Sequence, residues 1–338
     1  MTNDRRRSVV LRRRPSAEPR QDDFEIVEEA VPNPGPGQVL TRAIWLSIDP
    51  YMRGRLSDRS SYAAPVGIGD VMTGETIGEV IASDDPTFAA GDIVSGARGW
   101  QTHSVSKGSQ LSKLPRGGAP LSAYLGVLGM PGTTAYSGMK DIGVPKAGET
   151  VVISAASGPV GSVAGQIAKR AGARVVGIAG GPDKCLWVQE SLGFDDCVDH
   201  RAYDFASALA DACPSGIDVY FENVGGQVQA AAFGLLNVFA RVVMCGMVAQ
   251  YNDETVPPGP NLGFVVGKRV RIEGMIVSDK PERFREWREL ATPWVREGGL
   301  KYREDVVNGL ERAPEALASV LRGRNFGKML VRVGPDPA

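Results

Sequence analysis

The sequence predicts an α/β protein in two parts, a β-rich domain and a doubly wound parallel-sheet domain. Two changes of rhythm carry this reading. Up to about residue 128, short apolar stretches are broken repeatedly by Pro and Gly. From Gly148 the pattern becomes strand, helix, strand, as in a parallel sheet with helices on both faces. Length agrees, because 338 residues exceed the usual size of one core.

The chain opens on two basic runs, Arg5-Arg6-Arg7 and Arg12-Arg13-Arg14. An export signal needs an apolar stretch after such a pair, and only Ser8, Val9, Val10 and Leu11 follow. The runs therefore read as an exposed first strand with arginines on its solvent side, and a cytoplasmic location is expected. The spacer Val31-Pro-Asn-Pro-Gly-Pro-Gly-Gln38 is a chain of turn residues. It leads into a strand from Val39 to Leu46, followed by strands from Gly78 to Ser83 and from Asp92 to Ala97.

In the second half, buried strands are expected from Thr150 to Ala155, Arg174 to Ala179, Ile217 to Phe221, Arg241 to Cys245 and Arg271 to Val277. A long segment from Ala249 to Gly267, containing Pro257-Pro258-Gly259-Pro260, lacks regular-structure signals and reads as a substrate lid. Phe284, Trp287, Leu290, Trp294 and Val295 recur at helical spacing, so their tryptophans are expected in the core. The tail ends in a strand from Lys328 to Val333, placed to return to the first domain.

Composition narrows the partner. Net charge is −1, with 43% apolar and 23% charged residues, so no basic field draws the chain to nucleic acid or anionic membrane. A small-molecule partner is expected. Cys185, Cys197, Cys213 and Cys245 lack CxxC spacing, which indicates neither a zinc knuckle nor a disulfide framework. No window approaches the roughly eighteen apolar residues of a membrane span.

Directly after the strand ending at Ala155 stands Ala156-Ser-Gly158-Pro159-Val160-Gly161-Ser-Val-Ala-Gly165. Between a strand and a helix, such glycines let the backbone approach a pyrophosphate whose charge faces the helix N-terminus, so a dinucleotide is expected. An acid at the end of the second strand would accept from the ribose 2′-hydroxyl of NAD. Here the chain runs Ala179-Gly180-Gly181-Pro182-Asp183-Lys184, leaving room for a 2′-phosphate with an ammonium nearby. His200 and Arg201, after the third strand, are placed to join it. A solvated surface role stays open for Lys184 and His200.

These features and others identify a family. Leu46-Ser-Ile-Asp-Pro-Tyr-Met-Arg53, Gly129-Met-Pro-Gly-Thr-Thr-Ala-Tyr136, the Gly158 loop, Phe221-Glu-Asn-Val-Gly-Gly226, Cys245-Gly246 through Gln250-Tyr251-Asn252, and Asn325-Phe-Gly-Lys328 span almost the whole chain. Together they resemble the prostaglandin reductase and leukotriene hydroxydehydrogenase branch of the medium-chain dehydrogenase/reductases, which includes 2-alkenal double-bond reductases. The resemblance implies a GroES-like β-rich domain over residues 1–128 and 304–338 and a Rossmann domain over 129–303, with NADPH between them. It places Gly158, Pro159, Val160 and Gly161 on the pyrophosphate and Lys184 and His200 on the 2′-phosphate. Asn223, Cys245, Gly246, Tyr251, Met275, Ile276, Val277 and Asn325 would line the rest of the cofactor. His200 departs from the family pattern, in which a tyrosine is usual. A homodimer, formed through the strand near Arg271 to Val277, is also implied.

The alcohol dehydrogenases of the superfamily hold zinc with Cys, His and acidic ligands. Here Ser47 stands where the ligand cysteine is expected, Gly74-Glu75 lacks the intervening histidine, and no four-cysteine lobe occurs near residues 91 to 116. No metal is expected. The chemistry then suited to the site is hydride addition to the C=C bond of an α,β-unsaturated ketone or aldehyde, with Tyr251 as first hydrogen-bond donor to the developing enolate and Tyr51 as second. Two alternatives stay open, an NADPH-dependent quinone reductase and a catalytically silent cofactor-binding protein.

Overall fold

The computed structural model describes residues 5–59, 61–115, 117–255 and 257–336. The chain divides into two compact units, Met1–Leu125 with Glu304–Ala338, and Gly126–Arg303.

The first unit begins with a two-stranded antiparallel sheet, β1 (Arg5–Leu11) and β2 (Phe24–Ala30). Arg6 faces Glu29 and Arg7 faces Glu28 across the pair, and each is joined to it by an ion pair. The expected exposed strand is corrected at its far end, where Val9 and Leu11 pack with Phe24 and Trp100 in the core. Then come β3 (Gln38–Ser47), the short helix α1 (Met52–Arg55), β4 (Thr76–Ser83), β5 (Ile93–Gly96), β6 (His103–Lys107) and β7 (Ser112–Lys113). β3 organises the sheet, with β4 along one edge and β6 on the opposite edge near its start.

The second unit contains α2 (Met130–Gly138), β8 (Thr150–Ser154), α3 (Gly161–Arg170), β9 (Arg174–Ala179), α4 (Pro182–Glu190), β10 (Asp196–Asp199) and α5 (Phe205–Ala212). It continues with β11 (Ile217–Glu222), α6 (Gly226–Gly234), β12 (Leu236–Met244), α7 (Gly263–Lys268), β13 (Arg271–Gly274) and α8 (Glu282–Arg296). The six strands are parallel and ordered β10-β9-β8-β11-β12-β13. This is the doubly wound Rossmann arrangement, in which the order reverses between the first and fourth strands of the unit. Val152, Val176, Tyr220 and Val242 anchor one layer of its core.

Four expectations need correction here. β12 starts at Leu236, well before Arg241, because a register shift lets Val238 and Phe239 bulge out and stand exposed, with Phe239 at φ 64°, which interrupts the periodic signal. β13 stops at Gly274, and Met275 to Val277 leave the sheet toward a turn at Val277–Asp279. The expected lid segment carries a short turn at Val248–Gln250 and ends in the helix α7, while its Val256 lies outside the described residues. On α8, Trp287 is buried as expected, but Trp294 is only half-buried and Leu290 is exposed.

The tail supplies β14 (Glu304–Asn308), α9 (Ala313–Leu321) and β15 (Lys328–Arg332) to the first unit. β15 runs antiparallel to the end of β3, setting Leu330 opposite Ser47, and β14 extends the sheet beyond it.

Candidate functional site

In the second unit the strand order reverses between β8 and β11, and the carboxyl ends of strands at such a reversal are where these folds bind ligands. Ser154, the last residue of β8, ties the two strand ends together. Its Oγ donates to Glu222 Oε1 (3.0 Å) and accepts from the Asn223 N–H (2.7 Å), while its carbonyl accepts from Asn223 Nδ2 (2.8 Å). The fully buried Glu222 also accepts from the N–H groups of Val224 (2.7 Å) and Gly225 (3.1 Å). One buried carboxylate thus sets the loop after β11, which is why Asn223 holds a fixed orientation.

The turn after β8 is tight. Ala155 adopts φ 50° and the Gly158 N–H donates to its carbonyl at 2.9 Å. A Cβ at Gly161 would stand 2.4 Å from that same oxygen, so only glycine fits where α3 begins. Pro159 and Val160 complete the turn. A Cβ at Gly165 would lie 1.8 Å from the Phe194 ring, so this glycine serves close helix packing. The result is a helix N-terminus whose positive dipole end faces the carboxyl ends of the strands.

At the end of β9 a second glycine allows a close approach of side chains to the backbone. A Cβ at Gly180 would fall 2.8 Å from His200 Nε2 and 3.0 Å from Arg201 Nε, so these side chains converge on the backbone there. Lys184 lies half-buried in the first turn of α4. The nearby Asp199 Oδ1 accepts from the Gly181 N–H (2.8 Å) and the Arg201 N–H (2.9 Å). Burial opposes its ionisation, yet those hydrogen bonds and the charges of His200 and Arg201 hold its pKa below the ordinary value. Burial, with the charge of Arg201, depresses the pKa of His200.

Beyond β12, the N–H groups of Cys245 (3.0 Å) and Gly246 (3.1 Å) both donate to the Glu222 carbonyl. A Cβ at Gly246 would sit 3.2 Å from Tyr251 Oη and 3.4 Å from the Asn223 carbonyl oxygen. Tyr251 Oη also accepts from the Met247 N–H at 3.4 Å. Its hydroxyl is therefore held over the end of β12, next to the Asn223 loop. Burial, then Glu222, pushes the Cys245 thiol up to about 12, so it stays neutral at pH 7. The Met275 N–H donates to the Met244 carbonyl at 3.2 Å, which anchors Met275, Ile276 and Val277 past the edge strand.

Tyr51 and Asn325 belong to the first unit. Tyr51 stands at the start of α1, and burial, then Asp49 and Glu75, raise its pKa well above the ordinary phenol value. Asn325 Nδ2 donates to the Gly327 carbonyl at 2.7 Å. Beside them is a buried cluster in which Ser47 Oγ donates to Asp49 Oδ2 and Lys328 Nζ lies 2.7 Å from Asp49 Oδ1.

Comparison with known proteins agrees with this architecture. Residues 7–114 match the family described as the N-terminal domain of oxidoreductase, and residues 159–296 the one described as zinc-binding dehydrogenase. The chain is 49% identical to the NADPH-dependent curcumin reductase of Escherichia coli (strain K12) over 98% of both chains. It belongs to the zinc-independent branch of the medium-chain dehydrogenase/reductase family. Within that family it is 40% identical to a 2-alkenal reductase (NADP(+)-dependent) of Nicotiana tabacum, again over 98% of both chains. The crystal structure of CurA from Vibrio vulnificus in complex with NADPH superposes with a TM-score of 0.93 at 45% identity, covering 98% of this chain and 100% of the other.

Membership gives the Ser47 cluster its context. Among the described residues no three or more His, Cys, Asp or Glu side chains gather into a group able to hold a metal ion. At the position where zinc-binding relatives are expected to carry a cysteine, Ser47 is engaged with Asp49 and, through it, the Lys328 ammonium. Sequence reasoning missed the roles of Ser154, Glu222 and Asp199. A signal existed for Glu222, an acid closing an apolar strand directly before Asn and Gly-Gly, but its role becomes visible only once Ser154 is brought beside it.

Proposed function

We propose that this protein is an NADPH-dependent reductase acting on the C=C bond of α,β-unsaturated ketones and aldehydes. The observation that carries the reading is the convergence of His200 and Arg201 on Gly180, with Lys184 close in sequence and Asp199 occupied by backbone N–H groups. That turn gathers hydrogen-bonding and positively charged side chains at the end of β9 and offers no free acid, which suits a 2′-phosphate better than a ribose hydroxyl. The names of the curcumin and alkenal reductases support the substrate class.

The residues fit the cofactor. The space kept by Gly158 and Gly161, and the N–H groups at the start of α3, suit a pyrophosphate. Asn223, Cys245, Gly246, Met275, Ile276 and Val277 are assigned to the remaining surface of the nucleotide, and Asn325 to the same cofactor. When bound, NADPH supplies the hydride. The chain's own task is to meet the negative charge that develops on the carbonyl oxygen of the acceptor. Tyr251 Oη is assigned this role, donating to that oxygen. Tyr51, kept protonated by its raised pKa, is the second donor. No general acid is needed at the α-carbon, where solvent delivers the proton. A small-molecule substrate and a homodimer complete the reading.

Turnover of a 2-alkenal compared with a benzoquinone, each with NADPH and with NADH, tests it. Fast NADPH-dependent formation of the saturated aldehyde is expected. Turnover of the quinone alone would make the protein a quinone reductase instead.

A further inference from the structure

The second unit holds a thiol pair that the proposed reaction does not use. Cys185 lies in the first half of α4 and Cys197 on β10, and their side chains are hydrogen-bonded to each other. Two further contacts place Cys197 against α4. Cys197 is paired with Gly177 of β9, and its Sγ stands 3.1 Å from where a Cβ at Gly177 would be, beside Val188 of α4 at 2.9 Å from the same point. One turn along the helix, Gln189 Nε2 donates to Asp196 Oδ1 at 2.9 Å, joining the same helix to the same strand. Cys185 and Val188, three residues apart, are the buried residues of α4 and share one face of it, so the Cys185 side chain turns toward the seam that holds the Cys197 sulfur.

The seam ends at the nucleotide turn. Lys184 directly precedes Cys185, and His200 follows Cys197 by one strand residue pair, Val198 and Asp199. We propose that Cys185 and Cys197 form a peroxide-oxidisable dithiol site whose disulfide weakens the hold on the 2′-phosphate of NADPH. The second half of this statement rests on the assignment of Lys184 and His200 made above. The hydrogen bond from Cys197 favours the Cys185 thiolate, lowering its pKa against the effect of burial, so Cys185 is the attacking sulfur.

The chemistry balances with hydrogen peroxide as oxidant. Cys185 S⁻ attacks one peroxide oxygen, the O–O bond breaks, and the departing hydroxide takes a proton to become water, leaving a sulfenic acid. The Cys197 sulfur then displaces hydroxide from Cys185 Sγ as it loses its own proton, forming the S–S bond and a second water. Two thiols are oxidised and one peroxide is reduced to two waters. An S–S bond of about 2.0 Å is shorter than any hydrogen-bonded separation of two thiols. Closing it draws the first turn of α4, with Lys184 and the Gly181 turn, toward β10.

Digestion after Lys and Arg places both thiols in one peptide, Cys185–Arg201, which makes the test direct. The full-length protein is treated with stoichiometric hydrogen peroxide, alkylated and digested, and NADPH and NADH affinities are measured on the same sample. The expected peptide is lighter by two hydrogens, takes up no alkyl group, and returns to the doubly alkylated form after dithiothreitol. NADPH Kd is expected to rise at least fivefold with NADH Kd unchanged, and Cys197→Ser to abolish both changes. A peptide that remains doubly alkylated, or that gains oxygen without losing two hydrogens, overturns the dithiol site. A disulfide that leaves NADPH affinity unchanged overturns its coupling to the nucleotide. If the reduced protein does not bind NADPH, the proposed function fails, while the peptide masses still decide the dithiol.

Discussion

Lys328 Nζ lies 2.7 Å from Asp49 Oδ1 and 2.7 Å from the Ile48 carbonyl, and both charged side chains are almost wholly buried, at 2% and 4% exposure. This pair joins the last strand of the chain to the segment that leads into Tyr51. Replacing only one partner strands a buried charge, at a cost of about 3–5 kcal/mol. Lys328→Met is therefore expected to lower the urea midpoint sharply, and the double variant Lys328→Met/Asp49→Asn to recover part of the loss. Equal loss in both would show that the pairing is not what matters.

The Tyr251 hydroxyl is positioned by Gly246 and the Met247 N–H. Tyr251→Phe keeps the ring and removes the donor. With saturating enone, kcat is expected to fall between about tenfold and a hundredfold, or roughly 1.4–2.7 kcal/mol, with NADPH Kd little changed. A rate constant within about twofold of the wild type reassigns Tyr251 to packing.

The two glycines of the α3 turn separate by function. Gly161→Ala sets a Cβ 2.4 Å from the Ala155 carbonyl oxygen, so the turn itself must move and NADPH affinity is expected to collapse. Gly165→Ala, one helical turn on, meets the Phe194 ring at 1.8 Å and not the Ala155 carbonyl, and is expected to cost about 1–3 kcal/mol of stability by overpacking. Its NADPH affinity, measured on the folded fraction, is expected to fall much less than that of Gly161→Ala.

His200 gives the site a pH dependence. Its pKa is lowered from 6.5 by burial and by Arg201, with Lys184 acting the same way and Asp199 opposing. The unfolded chain thus takes the proton first, so the contribution to stability is complete above pH 6.5 and declines as acid carries the pH toward the folded value. A bound phosphate dianion favours the protonated ring. NADPH Kd is accordingly expected to tighten several-fold from about pH 8 to about pH 6, and the trend to flatten in His200→Gln and for NADH.

The parallel sheet was legible because β8, β9 and β11 are short, mostly apolar runs bounded by Gly and turns, a pattern that needs no tertiary information. Short polar strands were not. His103–Lys107, Ser112–Lys113 and Glu304–Asn308 owe their conformation to partners distant in sequence. The bulge at Phe239 hid the start of β12 for a related reason, since a residue at positive φ carries no strand periodicity. At the site, glycine spacing exposed the turn after β8. The roles of Ser154 with Glu222, and of Gly180 with His200 and Arg201, depend on contacts between strands that only the fold brings together.

The most direct test of the account uses NADPH deuterated at the hydride-donating carbon of its nicotinamide ring, with an unsaturated ketone as acceptor. The account predicts a saturated ketone carrying deuterium on its β-carbon. Deuterium on the carbonyl carbon of an allylic alcohol, or no transfer to the ketone, would contradict it.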